Sequence, residues 1–243
     1  MDNTKYVALS RQMGLWKQLD TVSNNMANMN TAGYKSQDIM FKDYVLQAVG
    51  AQGFGQQPVH FAQDFATVKD FSEGAMQHTG NTLDFAISGD GFFTIDTAQG
   101  QLYTKKGQFH LDSNRMIVNN EGQPVLSESN TPFFIAPGEK DIMVAPSGEI
   151  STENGVIGKL KVVAFADKQK LQKVSDSMFE NVAGNTMSTA NVRINQGVVE
   201  NSNVNGIVEM TRMINLQRNY EMVQQMIDEE HTRISDTIQM FSA

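Results

Sequence analysis

The sequence predicts an α+β protein, in which N- and C-terminal α-helices form an antiparallel coiled-coil-like layer and the centre folds as a mainly antiparallel β domain. Three patterns support this fold class. Apolar residues recur every seven positions over residues 3–29 and again over 204–241, while the period between about 60 and 200 is two. A period of seven is typical of a narrow helix seam, and a period of two is typical of half-buried strands.

The N-terminal helix is predicted over residues 3–29. Its seam contains Ala8, Leu15, Val22 and Met29 at intervals of seven, with Leu19 and Met26 at the alternate positions. Lys5 and Gln12 fall on the same stripe, so the first turns have a weaker seam. Trp16 lies just beside the seam, which leaves two interpretations: a core anchor, which we favour, or an anchor at an interface with another protein.

The C-terminal helix is predicted over residues 204–241. Its seam residues, seven apart, are Met213, Tyr220, Ile227, Ile234 and Phe241, with Leu216, Val223 and Ile238 beside them. Asn203 is placed to cap the first turn, and Glu209 lies near the N-terminus, where the helix dipole favours an acidic group.

Both helices join the β block by their inner ends, so within one chain they would lie antiparallel. We expect the common seam to be formed by Leu15, Leu19, Val22, Met213, Tyr220, Ile227 and Ile234. Isolated helices are marginally stable in water, and a narrow seam buries little surface. We therefore expect the two ends to fold fully only against neighbouring chains, which indicates an assembly protein.

The central region predicts an antiparallel meander of short strands separated by turn residues. The first strands expected are Phe92–Ile95, Gln101–Thr104, Gln108–Leu111 and Met116–Val118, with more near 133–136, 141–145 and 159–165. Residues 36–60 read as a transition that could form a short helix or strand, with a flexible connector over 50–58. The expected division is a discontinuous helical assembly domain (1–35 plus 204–243), a connecting region (36–78 plus 185–203) and a central β domain (79–184).

Residues 24–35 form the most unusual stretch of the chain. Four asparagines, Asn24, Asn25, Asn28 and Asn30, precede Gly33. Asparagine side chains compete for backbone hydrogen bonds, and glycine permits backbone angles that other residues resist. This pattern predicts the end of the first helix followed by a turn. We expect Gly33→Val to block assembly and to leave the β domain folded.

Composition argues against several classes of function. The net charge of −8 argues against nucleic acid as a partner, and the absence of cysteine excludes disulfides and thiolate metal sites. No apolar run approaches the length of a membrane span, and charged residues interrupt any secretory signal, so we expect neither membrane insertion nor a cleaved signal peptide. The four histidines have no metal-ligand spacing, and no catalytic motif is present. We therefore expect no enzyme activity, no metal and no cofactor.

Residues 24–35 resemble the N-terminal motif of the flagellar rod and hook protein family, which runs Asn-Asn-x-Ala-Asn-x-Asn-Thr-x-Gly-Phe/Tyr-Lys. Thr79–Phe93 is similar to the central stretch of that family. A C-terminal motif is similar as well, through Gln196–Glu200, Ser202-Asn203-Val204, Glu209-Met210, Met213-Ile214, Gln217-Arg218 and Tyr220-Glu221. The opening Met1-Asp2 with Tyr6–Ser10, and the modest length, are most similar to proximal rod members of the family.

The resemblance implies a structural subunit of the axial rod that transmits torque from motor to hook. Its implied partners are copies of itself, other proximal and distal rod proteins, and the type III export apparatus that delivers the chain to the periplasm without a cleaved signal. The implied assembly residues are Asn24, Asn25, Ala27, Asn28, Asn30, Thr31, Gly33, Tyr34, Lys35, Ser202, Asn203, Val204, Gln217, Arg218 and Tyr220. The alternatives are a distal rod or hook-type axial subunit, or a soluble coiled-coil and β-domain binding module.

Overall fold

The computed structural model describes residues 2–46, 59–139, 141–175, 177–181, 187–189 and 192–242. Two compact units share these residues. The first, here called the helical unit, comprises Met1–Ala27, Gln37–Lys69 and Asn205–Ala243. The second, here called the β unit, comprises Asn28–Ser36 and Asp70–Val204. The three-part division expected from the sequence stays a prediction.

The helical unit contains two helices and one hairpin. Helix α1 spans Asp2–Ala27 and helix α2 spans Gly206–Ser242, close to the predicted limits. Strands β1 (Gln37–Leu46) and β2 (Val59–Lys69) pair antiparallel from Gln37 with Lys69 to Leu46 with Val59. The transition expected at 36–60 is therefore a strand where it is described, and the predicted connector at 50–58 lies outside the described residues.

The start of α2 differs from the expectation. Asn205 caps this helix, because its side-chain Oδ1 accepts hydrogen bonds from the backbone N–H groups of Ile207 and Val208 at 3.1 and 3.3 Å. The prediction that Asn203 is the cap is wrong. Both asparagines precede the apolar pattern, and only the geometry of the turn distinguishes them. Glu209 does lie in the first turn, as predicted.

The β unit contains the remaining strands, and every pairing described in it is antiparallel, which confirms the fold class. The strands of the β unit are β3 (Met76–His78), β4 (Phe85–Ser88), β5 (Phe92–Thr97), β6 (Gly100–Thr104), β7 (His110–Leu111), β8 (Ile117–Val118), β9 (Met143–Val144), β10 (Glu149–Thr152), β11 (Gly155–Lys159), β12 (Val162–Phe165), β13 (Leu171–Ser175), β14 (Met178–Asn181), β15 (Met187–Thr189), β16 (Arg193–Gln196) and β17 (Val198–Glu200).

The expectation of a meander holds only locally. Strands β9, β10 and β11 are sequential neighbours, but the six-stranded sheet has the order β13-β14-β6-β5-β12-β15. In addition, β17 pairs with β3 and β16 pairs with β4, so the end of the β unit returns to its beginning. Alternation specifies which face of a strand is buried, whereas the neighbour of a strand is set by long-range packing.

Apolar side chains of the β unit form two buried clusters. The larger one includes Phe85, Phe93, Ile117, Phe133 and Ile150, all at most 2% exposed. The smaller one is mainly aromatic, and in it Phe92 lies edge-on to Phe165 with ring centroids 5.5 Å apart. Phe85, Phe92 and Phe93 of the family-like stretch Thr79–Phe93 belong to these clusters.

Candidate assembly site

The two helices pack through the predicted seam. The buried residues of this cluster are Ala8, Leu15, Val22, Leu216 and Val223, with Leu19, Met213, Tyr220 and Ile227 partly buried against them. The packing is antiparallel. The Gln12 side chain donates to that of Gln224, whereas Val22, later in α1, lines one groove with Leu216, earlier in α2. Ile234 is half-buried but lies outside this cluster.

A different helix face is apolar and open. On α1 the exposed residues Leu9, Met13 and Trp16 follow the i, i+4, i+7 spacing of one helix stripe. Trp16 is 61% exposed, so the favoured prediction that it is a core anchor is wrong for this chain by itself. The physical reason is its angular offset from Leu15 and Leu19, which takes the indole out of the narrow seam.

Helix α2 also exposes apolar side chains away from its seam. Ile207, Met210 and Ile214 form one stripe, and Met222 and Met226 form another. Arg218, between the two in sequence, is exposed as well. A helix with apolar residues on several faces is typical of one that packs against more than one neighbour.

The asparagine-rich motif divides between the two units. Within the helical unit, Asn25 is buried, and its side chain both donates to the Gln37 carbonyl at 2.9 Å and accepts from the Gln37 N–H at 3.0 Å. This amide therefore pairs with the first residue of β1 as a strand neighbour would. Asn24 donates to the Asp20 carbonyl one turn earlier, and Ala27 is the last residue of α1.

Within the β unit, the turn after α1 is held by its own side chains. The Thr31 hydroxyl donates to Asn28 Oδ1 at 3.1 Å, and the Thr31 carbonyl accepts from the Tyr34 N–H. Asn30 is exposed, whereas Tyr34 is buried, with the Lys173 ammonium 4.8 Å from the centre of its ring. The predicted turn is confirmed.

Gly33 has a φ of +69°, in the left-handed region that favours glycine. Its N–H donates to the Glu200 carbonyl at 2.7 Å. A Cβ atom at this position would lie 2.5 Å from the backbone nitrogen of Lys106, which belongs to the β unit. Gly33→Val would therefore disturb the β unit itself, contrary to the expectation from the sequence.

Lys35 lies in a buried ion cluster, defined here as Lys35, Lys105 and Glu200. Lys35 Nζ is 2.6 Å from Glu200 Oε1, and both side chains are fully buried. Lys105 Nζ is 3.9 Å from the other carboxylate oxygen of Glu200. Burial lowers the pKa of Lys105, and Lys35 nearby lowers it further, while Glu200 opposes both effects.

The segment after Glu200 continues these contacts inside the β unit. Asn203 accepts a hydrogen bond from the Ser36 N–H at 2.8 Å and donates to the Asp70 carbonyl at 2.9 Å. The Ser202 hydroxyl accepts from the Val204 N–H at 3.2 Å. The N-terminal motif and the start of the C-terminal motif thus meet in one place, although they are far apart in sequence.

The remaining motif residues lie elsewhere. Tyr220 belongs to the helix seam, while Gln217 is exposed and donates to Glu221 on the same helix face. The motifs therefore form two separate sites, one on the helices and one in the β unit. Sequence reasoning included Glu200 in the C-terminal motif but not among the candidate assembly residues, and it did not single out Lys105. The acidic side chain of Glu200 in that motif was a signal for a partner of Lys35.

The described residues contain no cluster of histidine and carboxylate side chains that could hold a metal ion. Among the helices that the structure describes, neither is apolar enough over a sufficient length to cross a membrane.

Comparison with known proteins places these features in one class, that of axial structural proteins of the flagellum. Residues 6–35 match the family described as flagella basal body rod protein. Residues 86–152 match the flagellar hook protein FlgE/F/G D1 domain, and residues 195–240 match the flagellar basal body rod FlgEFG protein C-terminal region.

Full-length relatives agree. The flagellar basal-body rod protein FlgF of Caulobacter vibrioides is 36% identical over 94% of this chain and 93% of its own. FlgF of Mesorhizobium japonicum is 35% identical over 91% and 90%, and FlgG of Bacillus subtilis is 32% identical over 89% and 90%. The chain belongs to the flagellar basal-body rod and hook protein family and is most like its FlgF members. Its function is that of a structural subunit of the flagellar basal body, in which it assembles with other rod components.

Proposed function

We propose that this chain self-assembles axially in the proximal rod and transmits torque from the motor to the hook. The supporting observation is the set of apolar residues that both helices leave open, Leu9, Met13 and Trp16 on α1 and Ile207, Met210 and Ile214 on α2. Large exposed apolar patches mark sites of protein–protein contact. The partners are further copies of this chain and other proximal and distal rod proteins, joined by head-to-tail contacts that propagate along an axis.

The motif residues have two different roles in this proposal. The helix pair is held together by Leu15, Leu19, Val22, Met213, Tyr220 and Ile227. The outward residues, including Arg218 and Gln217, contact neighbouring subunits. Residues 28–36 and 202–204 set the conformation in which the chain passes into and out of the β unit. The rod lies in the periplasm, and the chain reaches it through the flagellar type III export apparatus without loss of a signal peptide.

Site-specific cross-linking tests the assembly proposal. The sequence has no cysteine, so a single introduced cysteine is unique in each variant. Met13→Cys and Met222→Cys place thiols on the open helix faces, while Ser113→Cys, in an exposed turn of the β unit, is the matched control. Oxidation in motile cells should join the helix-face cysteines to neighbouring subunits.

The Met13→Cys and Met222→Cys chains are expressed together in one cell, so that each chain carries one cysteine. The expected product is a disulfide-linked dimer of two chains. Such products should disappear in a strain unable to export flagellar proteins. Equal cross-linking in the export-deficient strain, or cross-linking from Ser113→Cys alone, would contradict assembly through the helix faces.

A further inference from the structure

The buried ion cluster of Lys35, Lys105 and Glu200 joins five segments of the β unit. Glu200 Oε1 accepts from Lys35 Nζ at 2.6 Å and from the Gly74 N–H at 3.0 Å. Lys35 Nζ also donates to the Ser72 carbonyl at 2.5 Å. Lys105 Nζ faces the second oxygen of Glu200 at 3.9 Å and donates to the Gly89 carbonyl at 2.8 Å. The two lysines share the single carboxylate of Glu200, which offsets their charge only when all of these segments are in place.

The backbone around the cluster depends on the same arrangement. The Gly33 N–H donates to the Glu200 carbonyl, and the Asn201 N–H donates to the Ala75 carbonyl at 2.9 Å. Strand β17, which ends at Glu200, pairs with β3, which begins directly after Ala75. The turn at 28–36 and strand β17 thus lie on the two sides of one carboxylate, with Lys35 and Glu200 165 positions apart.

A buried charge without its partner is strongly unfavourable, because desolvation is no longer offset by attraction. Removal of one partner from such a pair lowers the folding equilibrium constant by about 10²- to 10⁴-fold. If the turn at 28–36 or strand β17 docked without the other, it would bury a charge without its partner. The two segments should therefore dock together, in one cooperative step.

We propose that the Lys35–Glu200–Lys105 cluster is a folding checkpoint, which allows the turn at 28–36 to dock only when strand β17 is in place. A chain from which residues 196–204 have not yet joined the β unit leaves Lys35 without its carboxylate and keeps the turn open. The consequence for export, that the motif turn closes only after nearly the whole β unit has emerged, rests on the proposed function. The checkpoint itself does not.

Native-state hydrogen exchange of the full-length chain in low urea tests the checkpoint. The amides to follow are those of Gly33, Gly74 and Asn201, whose acceptors are the Glu200 carbonyl, the Glu200 carboxylate and the Ala75 carbonyl. In the natural sequence, all three should share one opening equilibrium to within about threefold. Exchange of Gly33 ten times or more as readily as Asn201 would overturn the proposal.

The decisive variant is Lys35→Met, which changes a side chain but leaves the Gly33 and Glu200 backbone groups unaltered. We expect protection of the Gly33 amide to fall about 100-fold or more, together with that of Asn201. The matched control is Lys159→Met, whose partner Glu128 lies at 2.8 Å with both side chains partly exposed. That variant should change protection at the three amides by less than about fivefold.

A further variant covers the case in which Lys35→Met does not fold. The triple variant Lys35→Met, Lys105→Met and Glu200→Gln removes all three buried charges, so it should fold and should recover at least tenfold of the lost protection. Failure of the triple variant to recover would overturn the checkpoint, as would normal stability of Glu200→Gln alone, which leaves both lysines without their carboxylate. Because these readouts come from the isolated chain, they are independent of whether it assembles through its helix faces.

Discussion

Gly33 offers the sharpest test of how the motif turn is built into the β unit. Gly33→Ala adds one Cβ atom at a φ of +69°, 2.5 Å from the Lys106 nitrogen and 2.7 Å from the Lys105 carbonyl carbon. Gly122→Ala is the matched control, because its φ is +77° and nothing lies within 4 Å of the added atom. The two variants therefore share the cost of the backbone conformation and differ in the steric collision.

The magnitudes follow from these two contributions. A left-handed residue with a Cβ atom costs about 1–2 kcal/mol, which is the whole effect expected at Gly122. At Gly33 the backbone must also move away from residues 105–106, and the hydrogen bond from the Gly33 N–H to the Glu200 carbonyl is lost. A buried N–H without a partner costs about 1–3 kcal/mol more. We expect Gly33→Ala to destabilise the β unit by about 2–5 kcal/mol in total.

Hydrogen exchange measured peptide by peptide at increasing urea concentration gives the opening free energy of the β unit separately from that of the helices. A chain with two compact units need not unfold in a single transition, so a global melting curve is insufficient. Equal destabilisation by Gly33→Ala and Gly122→Ala, within about 0.5 kcal/mol, would refute the reasoning.

Four further outcomes are expected. Leu15→Ala should destabilise the helical unit by about 2–4 kcal/mol because Leu15 is buried in the seam, whereas Met13→Ala should change it by less than about 0.5 kcal/mol; hydrogen exchange of the α1 amides at increasing urea concentration distinguishes them. The emission of Trp16, the single tryptophan, should shift to the blue on assembly, and an unchanged spectrum in assembled rods would show that it stays in water. Asn205→Ala should cost α2 about 1 kcal/mol through loss of its cap, whereas Asn203→Ala should reduce hydrogen-exchange protection in the β unit instead. Lys105→Met should leave the stability of the β unit within about 1 kcal/mol at neutral pH, because a balanced Lys35–Glu200 pair remains. Burial lowers the pKa of Lys105 below 10.5, so the unfolded chain binds more protons than the folded chain as pH approaches 10.5 from below. The natural chain should therefore gain stability relative to this variant over that range, which urea titrations at several pH values would measure.

Periodicity in the sequence was sufficient for the helix pair. Leu15, Val22, Leu216 and Val223 are buried together because a seven-residue repeat keeps one side of each helix facing the other. The turn at Gly33 was predictable for a similar reason, since its determinants are local: asparagines that end a helix and a residue without a Cβ atom. The family was evident from short motifs whose order along the chain is the same as in rod proteins.

Other features required the tertiary structure. Trp16 lies one position from Leu15, yet one is exposed and the other buried, because the width of the seam depends on how closely the second helix approaches. The choice of Asn205 over Asn203 as the helix cap depends on where the chain leaves the β unit. No local sequence pattern specifies how closely the second helix approaches or where the chain leaves the β unit.

The sequence by itself determined the fold class, the helix seam, the turn and membership of the rod protein family, because each of these depends on residues close together in the chain or on motifs. The tertiary structure alone decided the order of the strands and the pairing of Lys35 with Glu200. Those contacts join distant segments, and their free energy comes from burying charges and apolar faces against one another, which no local sequence pattern specifies.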